Sequence, residues 1–223
     1  GSSGRLRQQF DILPPGDIRN CLVALADASS MMRDLFQFRF NKGSELQGHN
    51  FGNLFITVMT ELTGDFEKAI RETSKVLALR GQVIPSTLDN VRLIASHQDG
   101  TVTEGEYKIP HAGKRIDRVH LRPDKSEATP EALRAIREAE LIVLGPGSLY
   151  TSIIPNLLIK DISDAIAASR AIKVYVCNVM TQPGETDGYT ASDHIKALVD
   201  HSDPAVINYS IVNTGKIPRE LLS

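Results

Sequence analysis

Apolar residues recur at helical spacing in the first third of the chain. Ile18, Cys21, Leu22, Leu25, Met32, Leu35 and Phe36 follow the turn Pro14-Pro15-Gly16-Asp17. The pattern predicts a helix capped by Asp17 and running to about Phe40, with Asn41-Lys42-Gly43-Ser44 as its stop. A second helix is predicted over His49–Leu62, apolar nearly all round and so buried. A third runs from Phe66 to about Leu79, between Thr63-Gly64-Asp65 and Gly81. The period then falls towards two. Val83–Pro85, Val91–Ser96 and Thr101–Thr103 read as strands around a hairpin turn at Asp99-Gly100. Further extended segments are expected at Tyr107–Ile109 and Ile116–Leu121, the latter placing His120 on a sheet face. From Thr129 the rhythm is α-β-α-β. Helices are predicted at Pro130–Ala139, about Lys160–Ser169 and about Ala191–His201. Strands are predicted at Leu141–Leu144, Lys173–Asn178 and Val206–Val212. Alternation of this kind makes a parallel sheet. The expected fold is one α/β domain over residues 1–223, a three-layer, mostly parallel sheet with helices on both faces and a β-rich excursion at about 82–122.

Bulk properties narrow the class. The 223 residues are 41% hydrophobic, enough for a proper core and too many for a disordered chain. The net charge of −2 gives no overall attraction to nucleic acid. Cys21 and Cys177 each sit in an apolar run, which predicts reduced, buried thiols rather than a disulfide. No apolar stretch approaches the ~20 residues that span a bilayer. A soluble cytoplasmic protein without nucleic-acid or membrane partners is the expectation. Gly1-Ser2-Ser3-Gly4 reads either as a vector-derived leader or as a native Gly/Ser loop, and Ile217–Ser223 as a helix just beginning, so the chain reads as a fragment.

Candidate chemistry concentrates at four places. The apolar run Leu141–Leu144, β-branched at Ile142 and Val143, reads as a buried strand and ends in Gly145-Pro146-Gly147-Ser148, followed by Tyr150, Thr151 and Ser152. At the carboxyl end of a parallel strand such a turn is either a tight, capped βα connection or an anion loop. Glycines there admit close backbone approach, and a helix N-terminus favours negative charge. The next strand ends in a second polar loop, Asn178 to Tyr189, in which Asn178 and Thr181 carry hydrogen-bonding groups suited to a base or sugar; otherwise it is a long loop with Thr190 or Ser192 as cap. Asp17, Arg19 and Asn20 at a helix start divide naturally between a hydrated Mg²⁺ (Asp17) and a phosphate (Arg19), the bland alternative being a cap beside a solvated arginine. His49, Asn50 and Asn53 lead into the buried second helix as a capping network or a ligand wall. The histidines show no metal spacing, and no nucleophile–base pair presents itself.

Taken together, Gly1–Arg7, Pro14–Asn20, Gly48–Leu54, Thr63–Phe66, Gly145–Ser152 and Cys177–Gln182 through Asp193-His194 resemble the gluconeogenesis factor family of bacteria (YvcK-like proteins), which shares a CofD-like superfamily with 2-phospho-L-lactate transferase. The resemblance implies a Rossmann-like α/β domain. It also implies that the opening Gly-Ser-Ser-Gly is native, and that the family's N-terminal strand with its Gly-rich loop and its C-terminal region lie outside the chain. It further implies a cytoplasmic binder of UDP-sugars affecting cell shape and wall integrity. The superfamily's alternative is a transferase acting on a nucleoside diphosphate-linked donor with Mg²⁺. The nucleotide or phosphate ligand is expected at Gly145, Pro146, Gly147, Ser148, Tyr150, Ser152, Asn178, Thr181, Arg19, Asn20, His49 and Asn53, with Asp17 as the Mg²⁺ candidate. A second copy of the chain and cell-wall synthesis proteins are the candidate protein partners.

Overall fold

The computed structural model describes residues 2–10, 12–41 and 45–215, and its chain divides into two units, 1–85 and 86–223. The expected helix start at Ile217–Ser223 and the stop at 42–44 lie outside the described residues.

The first unit is helical: α1 (Ser2–Phe10), α2 (Gly16–Leu25), α3 (Ser30–Gln37), α4 (Phe51–Thr63) and α5 (Phe66–Val76). The single helix expected up to Phe40 is two helices. Ala26 swings to ψ 128° and bridges Leu79, and Ser29 restarts the chain by accepting a hydrogen bond from the Met32 N–H at 3.4 Å. Helix α2 begins at Gly16, so Asp17 lies in its first turn and does not cap it. Asn50 caps α4 by accepting from the Asn53 N–H at 3.1 Å, and Asp65 caps α5 by accepting from the Lys68 N–H at 2.6 Å. Leu22, Val23, Phe36, Ile56, Ile70 and Leu77 form the core of this unit. Helix α4 is not buried all round: Val58 and Leu62 face outward, because its apolar composition exceeds the stripe that α2, α3 and α5 cover. The thiols also depart from expectation. Both are free, but only Cys177 is buried, while Cys21 is exposed on α2.

The second unit opens with β1 (Arg92–His97), β2 (Val102–Glu104) and β3 (Ile116–Arg122), an antiparallel sheet ordered β2-β1-β3. Its hairpin turns at Asp99-Gly100, where Asp99 accepts from the Thr101 N–H at 2.9 Å. Tyr107–Ile109 is not extended: a short helix α6 (Lys108–His111) occupies it, and Val83–Pro85 forms no strand. The α/β alternation then appears as expected, with α7 (Pro130–Glu138), β4 (Leu141–Leu144), α8 (Ile154–Leu157), α9 (Lys160–Ala168), β5 (Ile172–Val176), α10 (Ala191–Asp200) and β6 (Tyr209–Ile211). Strands β4, β5 and β6 form a parallel sheet in that order, with Val143 opposite Val174 and Val174 opposite Tyr209. The parallel sheet and flanking helices make this an α/β protein; among the described residues the strands divide between this sheet and the antiparallel one. The run 141–144 is less buried than its composition suggests. Leu141, Val143, Ile172, Tyr209 and Ile211 are all exposed, whereas Leu144 and Tyr175 are buried. No helix among the described residues is long and apolar enough to cross a membrane.

Candidate functional site

Because β4 and β5 are parallel neighbours, the loops that follow them leave the same edge of the sheet. The first loop begins with Gly145 at φ +82°, a backbone region that only glycine enters freely, followed by a cis Gly145–Pro146 bond. A side chain on Gly145 would also stand 3.0 Å from the Val176 carbonyl oxygen. The loops are then clasped together. The Gly147 N–H donates to Asn178 Oδ1 at 3.1 Å, and Asn178 Nδ2 donates to the Gly147 carbonyl at 2.8 Å. Both candidate groups are therefore each other's partners. Pro146 and Thr181 are exposed at the loop surfaces, as is Ser152, whose N–H turns back to the Ser148 carbonyl.

After Ser148 the chain forms one turn of π-helix, Leu149–Ile153. Its start is met by a carboxylate from the second loop. Glu185, 4% exposed, accepts from the Tyr150 N–H at 3.0 Å and the Thr151 hydroxyl at 2.7 Å through its two oxygens. Gln182 Nε2 adds a third hydrogen bond at 3.2 Å. A helix start that would attract a phosphate thus receives an anion from the protein itself. Two donors are left over. The N–H groups of Ser148 and Leu149 have no acceptor among the described residues, and Leu149 is fully buried. A buried backbone donor without a partner calls for an acceptor from water or a ligand.

Behind the loops lies an aromatic cluster. The Tyr150 and Tyr189 hydroxyls are 2.8 Å apart, and Tyr150 packs edge-on against His201. Burial, followed by the Tyr189 hydrogen bond, pushes the Tyr150 phenol upward, so it stays neutral. His201 is held as one tautomer. Its Nε2 accepts from the Val119 N–H at 3.1 Å, so Nδ1 carries the proton and donates to the Ala197 carbonyl at 2.7 Å. Thr190 and Asp193 complete a capping box at α10, and buried His194 places Nδ1 2.9 Å from the Thr190 carbonyl.

The remaining candidates lie in the first unit. Asn50 sends Nδ2 to the carbonyls of Gln37 and Phe38, and its own N–H donates to Ser2 Oγ at 3.2 Å. Asn53, 2% exposed, donates from Nδ2 to Ser3 Oγ at 3.1 Å. Buried His49 sits with Nδ1 3.5 Å from Ser2 Oγ, and burial, then Arg5, lowers its pKa. Arg19 donates to Asn20 Oδ1, while Asp17 is exposed beside it. The protein around Asp17 withholds enough water to raise its carboxyl above the ordinary range, with Arg19 pulling the other way. Asp17 is a single carboxylate next to a guanidinium, with no hydrogen bond that fixes it among the described residues. No group of three or more His, Cys, Asp or Glu among the described residues is placed to hold a metal. Ser2, Ser3, Arg39 and Glu185 join the candidates only through the fold. Their local signals were a Gly/Ser run, an arginine between two phenylalanines and a carboxylate in a polar loop.

Comparison with known proteins agrees with this architecture. The family model for 2-phospho-L-lactate transferase CofD matches residues 1–223. The putative gluconeogenesis factor of Nostoc sp. is 60% identical over 89% of this chain and 43% of its own length. The gluconeogenesis factor of Bacillus subtilis is 53% identical over 99% of this chain and 70% of its own length. The chain therefore spans between about two fifths and seven tenths of these two relatives. A crystal structure of a UPF0052 family member from Bacillus halodurans superposes with a TM-score of 0.94 at 51% identity, covering 99% of this chain and 71% of that one. The chain belongs to the CofD family and, within it, to the gluconeogenesis factors.

Proposed function

We propose that this chain is the nucleotide-sugar-binding domain of a cytoplasmic gluconeogenesis factor, binding a UDP-sugar to sense metabolic state and influence cell shape and wall integrity without consuming it. The observation that carries this reading is the pair of unanswered donors at Ser148 and Leu149, on the carboxyl edge of a parallel sheet where α/β proteins hold their ligands. Two adjacent N–H groups suit an oxygen of a phosphate or a ribose. Tyr150, Tyr189, His194 and His201 are committed to internal hydrogen bonds, and no nucleophile–base pair stands among the described candidates. That suits recognition better than covalent chemistry.

The name of the matching family model favours a second reading, a transferase that uses a nucleoside diphosphate-linked donor with Mg²⁺. Calorimetric titration of the full-length protein with UDP-N-acetylglucosamine and with GDP, each with and without Mg²⁺, separates the two. Binding of the UDP-sugar, recovered unchanged after hours, supports the sensor. Its conversion to a new product supports the transferase, and failure to bind either nucleotide overturns both.

A further inference from the structure

The first unit gathers positive charge at Arg5, Arg19 and Arg39, with Asp17 as the carboxylate that acts on Arg19. Arg39 pairs through its backbone with Asn50 and sends Nη1 to the Gly48 carbonyl at 2.9 Å. Arg5 reaches the Gln47 carbonyl at 2.7 Å. The stem of Arg19 lies across Gly52. A Cβ there would stand 2.9 Å from Arg19 Cδ and 2.6 Å from the Phe36 carbonyl, so only the bare backbone of α4 lets the guanidinium in. Among the described residues none of these three arginines forms an ion pair with a carboxylate. Arg19 keeps a buried Nε–H with no acceptor among the described residues. Arg39 is near enough to Arg19 for like-charge repulsion to help depress its pKa, after the larger effect of burial, against the opposing pull of Asp17.

Neutral donors around these arginines are oriented as well. Ser3 Oγ is occupied as an acceptor by Asn53 Nδ2, so its hydroxyl proton is free to be given away, whereas Ser2 Oγ accepts from the Asn50 N–H and faces His49 Nδ1 at 3.5 Å. Both serines lie in the first turn of α1, whose end carries partial positive charge and has no acidic residue. Asn53 Oδ1 is buried without a partner among the described residues, and turning the amide over would only transfer the vacancy to the nitrogen. The second unit satisfies its comparable helix start with Glu185. In the first unit the start of α1 has no acidic residue in its first turn, and the carboxylate that acts on Arg19 is Asp17 of α2.

We infer that Arg19, Arg39, Ser3 and Asn53 form an oxyanion subsite that takes a phosphate or diphosphate group, with the amide of Asn53 reading an adjoining hydroxyl. For the class of its ligand the inference rests on the nucleotide-sugar reading: a diphosphate is the group this subsite would hold. Guanidinium pairs and hydroxyl donors are the usual partners of phosphate oxygens.

Titration of the full-length protein with pyrophosphate, UDP-N-acetylglucosamine and uridine tests it, comparing wild type with Arg39→Gln, Arg19→Gln and the control Lys68→Gln on α5. The expected result is pyrophosphate binding that weakens about tenfold in each arginine variant and is unchanged in the lysine control. Uridine binding should be the same in all four proteins. Arg39 is exposed, so its variant is expected to keep the wild-type melting temperature and serves if Arg19→Gln fails to fold. Absence of pyrophosphate binding, or equal affinity in all four proteins, overturns the subsite. UDP-N-acetylglucosamine binding that ignores both arginines overturns the subsite and leaves the nucleotide-sugar reading standing. Arginine-dependent pyrophosphate binding without UDP-sugar binding does the reverse.

Discussion

Asn178 closes on both polar groups of the Gly147 peptide, giving its Nδ2 proton to the carbonyl at 2.8 Å and taking the N–H into Oδ1 at 3.1 Å. One side chain thereby joins the loops that follow two neighbouring strands. Asn178→Ala removes both bonds and leaves a partly buried peptide unpaired. It should destabilise the fold by about 1–3 kcal/mol, read as a lower urea midpoint at unchanged slope. A stability equal to wild type would show that the clasp forms only incidentally.

Glycines 145 and 147 should respond in opposite ways. Gly145 holds φ +82° with a carbonyl 3.0 Å from where a Cβ would sit, so Gly145→Ala is strained twice and should cost roughly 1–3 kcal/mol. At Gly147 the nearest atoms to a new Cβ lie at 3.6 Å or beyond, an ordinary contact. Gly147→Ala should fold like wild type, so any loss of nucleotide affinity it causes reports ligand approach rather than damage. Melting curves and calorimetry on the two variants check both halves.

Glu185 places its oxygens against the Tyr150 N–H, the Thr151 hydroxyl and the Gln182 amide. Glu185→Gln swaps one acceptor for an NH₂ that meets other donors. A loss of about 2–4 kcal/mol is expected, from one broken charge-assisted bond and a confrontation of donors. Denaturant unfolding measures it. A near-neutral effect would mean that Thr151 and Tyr150 find other acceptors, and that the π-turn does not depend on this carboxylate.

Protonating His201 would set an Nε2–H against the Val119 N–H. Its pKa is lowered chiefly by burial, with Arg118 adding to this and the Ala197 carbonyl, Asp200 and Asp117 opposing it. A depressed histidine pKa means that the unfolded chain binds the proton more readily. The stabilisation is therefore complete above the unfolded value of about 6.5 and is lost as pH falls below it towards the folded value. The stability difference between wild type and His201→Leu should shrink between pH 7.5 and pH 5. A constant difference would argue that His201 contributes by packing alone.

Much of the fold was legible because its signals are local. Asp99-Gly100 needs only its own backbone to turn, and Thr190 with Asp193 caps α10 within four residues. The runs at 141–144 and 173–178 declared themselves as strands, the second observed at Ile172–Val176. Burial was less legible, since periodicity shows which residues share a face but not whether anything covers it. Val58, Leu62, Leu141 and Val143 are apolar and exposed for that reason. The break at Ala26 depends on a bridge to Leu79, more than fifty positions away. Gly145, Gly147 and Asn178 could be picked out as a loop pair, but their commitment to one another could not. Glu185 was hidden for the same reason: its partners lie 34 and 35 positions earlier. Arg39 gave no sign, because its significance lies in standing near Arg19 rather than in its own neighbours along the chain.

The clasp at Asn178 and the three bonds to Glu185 also have a kinetic side. Two surface loops fastened at both ends cannot open one at a time, since releasing either strands polar groups of the other. Their amide protons, at Gly147, Tyr150, Gln182 and Glu185, should exchange with solvent in a single correlated event. A ligand that settles against residues 147–149 would then slow exchange in residues it never touches. The message such a domain passes onward would lie in how often the loops part, with little change in their resting shape.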